Sequence, residues 1–170
     1  MAKTTEKKEH LPLVGVGPVY VIGIILLTLA GIILKITQVL KTGTFDVLRI
    51  PFLIVGILLM VYGVFLWVMA NFHSHIDKEI KNNILVTTGV YGMVRNPVYS
   101  GFMFVCTGVL FIANNLWLLL LPPVFWLYMT LLMKATEEKW LWDLYGKEYE
   151  MYCRMVNRCI PWLKRKQKGN

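Results

Sequence analysis

Four stretches of the chain carry no charged side chain: Leu13 to Leu34, Pro51 to Ala70, Val98 to Ala113 and Leu116 to Met133, of 22, 20, 16 and 18 residues. A helix crossing a bilayer needs about 20 apolar residues at a rise of about 1.5 Å each. The first two stretches meet that requirement. The third and fourth are short and separated by a tight turn, so they read as a hairpin whose helices begin or end within the interface, or which dips into the bilayer. Gly15, Gly17, Gly23 and Gly31 give the first span small faces where another helix can approach, and Gly56 and Gly63 do the same for the second, which ends in Trp67 at the interface. Pro122 and Pro123 predict a break or kink in the fourth span, leaving two segments instead of one rod. After Met133 the residues Leu141, Tyr145, Tyr149, Tyr152 and Val156 recur at intervals of three and four, an amphipathic stripe that Gly146 divides into two short helices lying near the membrane surface. The expected fold is all-α and integral to the membrane: about four transmembrane helices, the third and fourth a short hairpin, plus cytoplasmic amphipathic C-terminal helices, in one domain over residues 1–170.

The connections refine this picture. Residues 1–12 are polar, with Pro12 just before the first span, and are expected to fray. Asn71 to Asn96 is 26 residues long, more than a plain connector needs. Within it Ile84, Leu85 and Val86 predict a short extended or interfacial piece ending in a turn at Gly89, and Asn96-Pro97 predicts an N-cap and first helical residue for the third span. Composition agrees with a membrane protein: 56% of residues are hydrophobic and mean hydropathy is +0.56. The first span is too long for a signal-peptide core and is expected to be retained.

The net charge of +8 raises the question of nucleic acid, but its distribution excludes that reading. With four spans, the amino terminus, the Asn71–Asn96 connection (Lys78, Lys81, Arg95) and the tail share one side, which holds 15 of the 18 basic residues, against Lys35, Lys41 and Arg49 on the other. The positive-inside rule places that side, with both termini, in the cytoplasm, in a bacterial inner membrane or an endoplasmic reticulum alike. The tail cluster Lys164, Arg165, Lys166 and Lys168 reads as an orientation signal that also touches anionic lipid, and no nucleic-acid partner is expected. Cys106, Cys153 and Cys159 show no ligand-like pairing and are expected to be free thiols. His73 and His75 are two apart, off any shared helix face, with no cluster to complete a metal site.

Polar groups near a bilayer are costly and usually have a task. Two clusters stand out, TTGVYGMVRNPVYSG over Thr87 to Gly101 and EEKWLWDLYGKEYEMYCRMVNRCIPW over Glu137 to Trp162. They lie at the two ends of the hairpin, which returns the chain to its starting side, so they can meet. The first resembles the Gly-Pro-Tyr, Arg-His-Pro-x-Tyr-x-Gly signature of isoprenylcysteine carboxyl methyltransferases and the related membrane phospholipid methyltransferases. The second resembles that family's tail, a Glu-Glu pair followed by Phe-Gly-x-x-Tyr-x-x-Tyr, an Arg and an Ile-Pro. Together the likeness covers Leu85 to Pro161. Val90 stands where many members have Pro, Asn96 where His is commoner and Tyr145 where Phe is usual. Lys134 is the only basic residue near the family's Arg before the Glu pair, and a Lys cannot offer a bidentate fork.

The resemblance implies transfer of a methyl group from S-adenosyl-L-methionine to a lipophilic acceptor entering sideways from the lipid bilayer, with the site built from residues 85–101 and 134–161. It implies cofactor contacts from Gly89, Val90, Tyr91, Arg95, Asn96, Pro97, Tyr99, Glu137 and Glu138, and catalytic roles for Arg95, Glu138 and Arg158. Gly89 permits a tight turn and close backbone approach. The start of the third span offers free N–H groups and a positive dipole end for a cofactor carboxylate beside Arg95. Either glutamate can take the cofactor's ammonium or an acceptor amine, and Arg158 can pair with a carboxylate, a phosphate or one of the glutamates. Each residue also has a plainer reading: Arg95 a topology anchor, Glu137 and Glu138 a solvated face paired with Lys134, Arg158 lipid-facing, Asn96 only a cap, Tyr149 and Tyr152 packing. Two other functions compete. Membrane sterol reductases using NADPH carry a similar Arg-His-Pro-x-Tyr motif and a tail like YGKEYEMYC, but they need further spans and basic residues for the 2′-phosphate. A non-enzymatic scaffold or small transporter leaves the long connection and its motif unexplained. The acceptor group, whether carboxylate or amine, and the oligomeric state stay open at this level.

Overall fold

The computed structural model describes residues 15–72 and 84–161. The calls on Pro12 and the start of the first span, on His73, His75, Lys78 and Lys81, and on Trp162 and the basic cluster beyond it fall outside the described residues. Among the described residues six α-helices follow one another: α1 Gly17–Ile36, α2 Asp46–Phe72, α3 Pro97–Ile112, α4 Leu121–Ala135, α5 Glu137–Tyr145 and α6 Lys147–Met155. Short 3-10 turns at Gly89–Gly92 and Leu116–Leu120 precede α3 and α4. The only β-type pairing among the described residues is an isolated parallel bridge between Val94 and Asn157. By length and composition α1, α2 and the Leu116–Ala135 run can each cross a membrane, and Pro97–Ile112 is a shorter apolar helix.

Helix ends differ from expectation for identifiable reasons. Helix α2 starts five residues before Pro51, with Asp46 in the first turn, where a carboxylate suits the positive dipole end. Pro122 and Pro123 leave the Leu116–Ala135 run in two segments, as expected, but without kinking a continuous helix. They open α4 in its first turn, where no intrahelical N–H is required, and the segment before them is the 3-10 turn. Gly146 separates α5 from α6 with a φ of +50°, a left-handed conformation that favours glycine.

Helix α3 is the centre of the bundle. On one side Met103, Cys106 and Leu110 join Tyr20 and Ile24 of α1 and Phe125, Met129 and Met133 of α4 in a single buried core. On the other side α3 meets α2 backbone to backbone at two pairs of glycines, flanked by the ring pairs Phe52–Phe111 and Tyr62–Phe104. A Cβ on Gly63 would lie 2.5 Å from the Gly101 carbonyl oxygen, and one on Gly101 would lie 2.7 Å from the Gly63 carbonyl oxygen. One turn pair further along, Gly56 and Gly108 repeat the arrangement at 2.7 and 2.5 Å. The glycines are seven residues apart on both antiparallel helices, so the two backbones touch twice along one seam. The outward faces are lined by exposed apolar side chains, including Ile22, Leu26, Leu29 and Ile33 of α1 and Ile54, Leu58 and Val61 of α2, as a surface bathed in hydrocarbon requires.

The end of the bundle away from the two motif clusters is closed by asparagines. Asn115, fully buried, donates from Nδ2 to the Thr42 carbonyl at 3.0 Å, and its Oδ1 accepts from the Trp117 amide at 3.0 Å. Asn114 donates to the Phe45 carbonyl at 3.1 Å, the Leu116 amide donates to the Gly43 carbonyl, and Lys35 Nζ donates to the Ala113 carbonyl. These bonds satisfy helix-end and loop groups that could not be left bare at a membrane boundary.

Gly63→Leu or Gly101→Leu should drive α2 off α3, at a cost above the about 1–3 kcal/mol of ordinary overpacking, because backbone cannot yield as a side chain does. Leu58→Ala, on the lipid face, should change the thermal midpoint in detergent little. Equal shifts for the two classes would refute the seam.

Candidate functional site

The two motif clusters meet at the near end, held by backbone. The Arg95 amide donates to the Asn157 carbonyl at 2.8 Å, and the Asn96 amide to the Arg158 carbonyl at 3.3 Å. Ser100 Oγ, fully buried, donates to the Cys159 carbonyl at 2.6 Å, and Tyr152 Oη donates to the Tyr91 carbonyl at 2.6 Å. Asn96 occupies the N-cap position of α3 but does not cap it. Its Nδ2 donates instead to the Arg158 carbonyl at 3.1 Å, so the residue ties the tail to the start of α3. The apolar stripe foreseen in the tail buries Tyr149, Tyr152 and Val156 against Leu85 and Leu141.

This clipping brings three charged side chains together. Arg158 grips Glu138 with both arms of its fork, Nε to Oε1 at 2.5 Å and Nη2 to Oε2 at 2.9 Å, and Arg95 Nη1 lies 3.3 Å from the same Oε1. Their side chains are 18%, 12% and 9% exposed for Arg158, Glu138 and Arg95, so the group is largely out of water. Two guanidiniums share one carboxylate, which leaves an excess positive charge. Arg95 Nη1 also donates to Tyr149 Oη at 3.1 Å and lies against Cys153 Sγ, and its guanidinium carbon stands 5.8 Å from the Tyr149 ring centre. Arg95 Nε is buried with no hydrogen-bond partner among the described residues. The bond to Glu138 raises the Arg158 pKa. Burial raises Tyr149, Tyr152 and Cys153 despite the pull of Arg95, so all three stay neutral, Tyr149 and Cys153 accepting from Arg95 and Tyr152 donating to Tyr91.

Glu137 looks elsewhere, because successive side chains on a helix are about 100° apart. Its Oε1 accepts from Tyr99 Oη at 2.8 Å and from the Val16 amide at 3.1 Å. Burial raises its pKa, opposed by those two bonds. Burial, followed by the nearby Glu137 charge, also raises Tyr91.

Of the residues singled out in the sequence, Arg95, Glu138 and Arg158 thus form one group, and Glu137 with Tyr99 a second beside it. Val90 and Pro97 are buried, and Gly89 sits at φ +59° with open space where a Cβ would stand. Neither glutamate is a solvated face paired with Lys134, which is exposed in the last turn of α4. Sequence reasoning assigned Tyr149 and Tyr152 to packing and overlooked their hydroxyls, which bond Arg95 and Tyr91. It also missed Val16 and Ser100. Gly15 and Gly17 beside Val16 carried a signal of close approach, whereas nothing marked Ser100.

Residues 51–148 match the family model for phospholipid methyltransferase. The chain is 36% identical over 91 residues to the protein-S-isoprenylcysteine O-methyltransferase of Schizosaccharomyces pombe, covering 52% of this chain and 38% of that protein. It is 32% identical over 118 residues to the protein of the same name in Saccharomyces cerevisiae, covering 65% and 49%. It is 32% identical over 80 residues to a probable protein-S-isoprenylcysteine O-methyltransferase of Oryza sativa, covering 46% and 41%. The chain therefore spans less than half the length of these relatives. No solved structure matches it.

Two outcomes follow from the geometry. Glu138→Ala strands two buried guanidiniums and should cost about 3–5 kcal/mol, read as a large drop in thermal midpoint, and an unchanged midpoint would remove Glu138 as the hub. For Glu137, a pKa raised in the folded state means stability is fullest below the ordinary value of 4.5 and declines as pH rises through the folded value. Glu137→Gln lacks that decline, so its midpoint minus the parent's should grow from pH 4.5 upward, and a pH-independent difference would contradict the burial cost.

Proposed function

The chain belongs to the phospholipid methyltransferase family, and on that premise we propose that it is a membrane methyltransferase acting on the carboxylate of an isoprenylated cysteine with S-adenosyl-L-methionine as donor. The observation that carries this reading is the buried Glu138, Arg95 and Arg158 group, in which the two motif clusters become one site. The cofactor's functional groups suit the residues present. Arg95 Nε is a buried donor in want of an acceptor, α3 begins two residues after Arg95 in the chain, and the Gly89 backbone is open to close approach. Gly89, Val90, Tyr91, Arg95, Asn96, Pro97 and Tyr99 would form the cofactor's cradle, with Glu138 closing it. Bound S-adenosyl-L-methionine supplies a methyl group on a positively charged sulfur, open to displacement by a nucleophilic oxygen.

The protein's part is positional. Arg95 and Arg158 give the site a positive excess that attracts an acceptor carboxylate, and Glu138 holds both guanidiniums in fixed directions. Tyr149, Tyr152 and the apolar stripe shield the group from water and strengthen its electrostatics. An oxygen acceptor also accords with the names of the relatives. The lipid-facing surfaces of α1 and α2 suit a four-pass arrangement, with the site on the cytoplasmic face where the basic residues gather and a prenylated acceptor reaching it through the bilayer.

The test is calorimetric titration of detergent-purified protein with S-adenosylhomocysteine and, in parallel, NADPH, followed by transfer of labelled methyl to a farnesylated cysteine derivative. Saturable binding of S-adenosylhomocysteine alone and a base-labile methyl ester are expected. Arg95→Ala should weaken that binding by about tenfold to a hundredfold, the value of a charged hydrogen bond. Binding of NADPH alone would transfer the protein to the reductases.

A further inference from the structure

Glu137 stands apart from the arginine pair. Both of its partners are neutral donors, the Tyr99 hydroxyl at 2.8 Å and the Val16 amide at 3.1 Å, and it makes no salt bridge among the described residues. A carboxylate so placed is used as a hydrogen-bond acceptor and not as a countercharge. A second, independent feature marks the same spot. A Cβ on Gly15 would overlap the Glu137 carboxylate, and a Cβ on Gly17 would overlap the Tyr99 ring. The Gly15, Val16, Gly17 segment is thus shaped to lie flat on the Glu137 and Tyr99 pair. Around it Tyr20 meets Tyr99 edge-on at 6.1 Å, and Tyr128 Oη donates to the Val19 carbonyl at 3.2 Å.

We propose that Glu137 is a positioning residue, a clamp that docks the start of α1 onto α3 and α5 and thereby fixes how Glu138 faces Arg95 and Arg158. Glu137 and Glu138 are the first two residues of α5, a helix of nine residues that follows α4 after a single residue, Thr136. Holding Glu137 on α1 and α3 sets the rotation of that short helix about its axis. Since Glu138 is the next residue, its direction is set at the same time. Tyr99, the other partner, lies in the first turn of α3, where Arg95 and Asn96 lead in. The clamp rests on the functional reading above only in that the group it orients is taken to be the cofactor site. It assigns the two glutamates of the pair different tasks: Glu138 needs its charge, and Glu137 needs only an acceptor oxygen.

The experiment pairs amide hydrogen exchange with S-adenosylhomocysteine titration on the full chain in detergent. Glu137→Gln keeps an acceptor oxygen, so it should retain affinity within about twofold and leave the amides of Val16, Gly17, Val19 and Tyr20 as protected as in the parent, a charged hydrogen bond being worth about tenfold or more when it is truly used. Glu137→Ala and Gly17→Ala should both expose those amides and lose roughly tenfold in affinity. Should Glu137→Ala fold poorly, Gly17→Ala carries the test, since it loosens the clamp without altering Glu137 or any residue of the cradle. Loss of affinity in Glu137→Gln with amide protection intact would overturn the proposal and make the Glu137 charge a ligand contact. Exposed amides with parental affinity would overturn it equally. If the parent itself binds no S-adenosylhomocysteine, the functional reading fails, while the exchange results still decide whether the clamp exists.

Discussion

A carboxylate removed from water must be compensated where it sits, and Glu138 is compensated by two arginines that come from opposite ends of the α3–α4 hairpin. That requirement shapes the near end of the molecule. Arg95 must leave the long connection just before α3, Arg158 must return after α6, and the backbone between them must be close enough to bridge Val94 to Asn157. The amphipathic helices α5 and α6 are the means of return. Their buried tyrosines do more than pack, since the hydroxyls of Tyr149 and Tyr152 each hold an atom of the opposing segment in place. A buried ion group of this kind gives weak net stability for its cost, and its value lies in fixing direction.

The far end obeys the same rule chiefly with neutral groups, joined by the Lys35 ammonium on the Ala113 carbonyl. A tight turn between two apolar helices leaves carbonyls and amides that lipid cannot satisfy, and the two adjacent asparagines supply a compact set of donors and acceptors. The result is a hairpin pinned at both ends, with the salt-bridged group at the near end.

Much of this was legible in the chain. The charge-free stretches gave the helices, the tail's three-and-four spacing gave the buried tyrosine face, and the two polar clusters gave the three residues of the charged hub. What could not be read depended on direction. Sequence spacing says that Glu137 and Glu138 point differently, but not that one meets two neutral donors and the other two arginines. Asn96 looked like a cap because its position and its neighbour Pro97 fit one, yet a tertiary partner, the Arg158 carbonyl, took the side chain. Pro122 and Pro123 read as a break because their helix was assumed to begin at Leu116. Once the 3-10 turn precedes them, the same two residues become a start. For the glutamate pair and Asn96 a local preference was correct in kind and redirected by a contact distant in sequence.

The glycine seam between α2 and α3 bears on how such a chain can change over time. Two helices joined by interlocking side chains must alter both surfaces in step. Where two backbones touch, four positions must stay small, while the outer face of α2 meets hydrocarbon, which does not distinguish leucine from isoleucine, valine or phenylalanine. Substitutions there are therefore nearly neutral and accumulate freely. Kinship traced through α2 will fade long before the helix itself moves, and the four glycines will outlast the residues around them as its record.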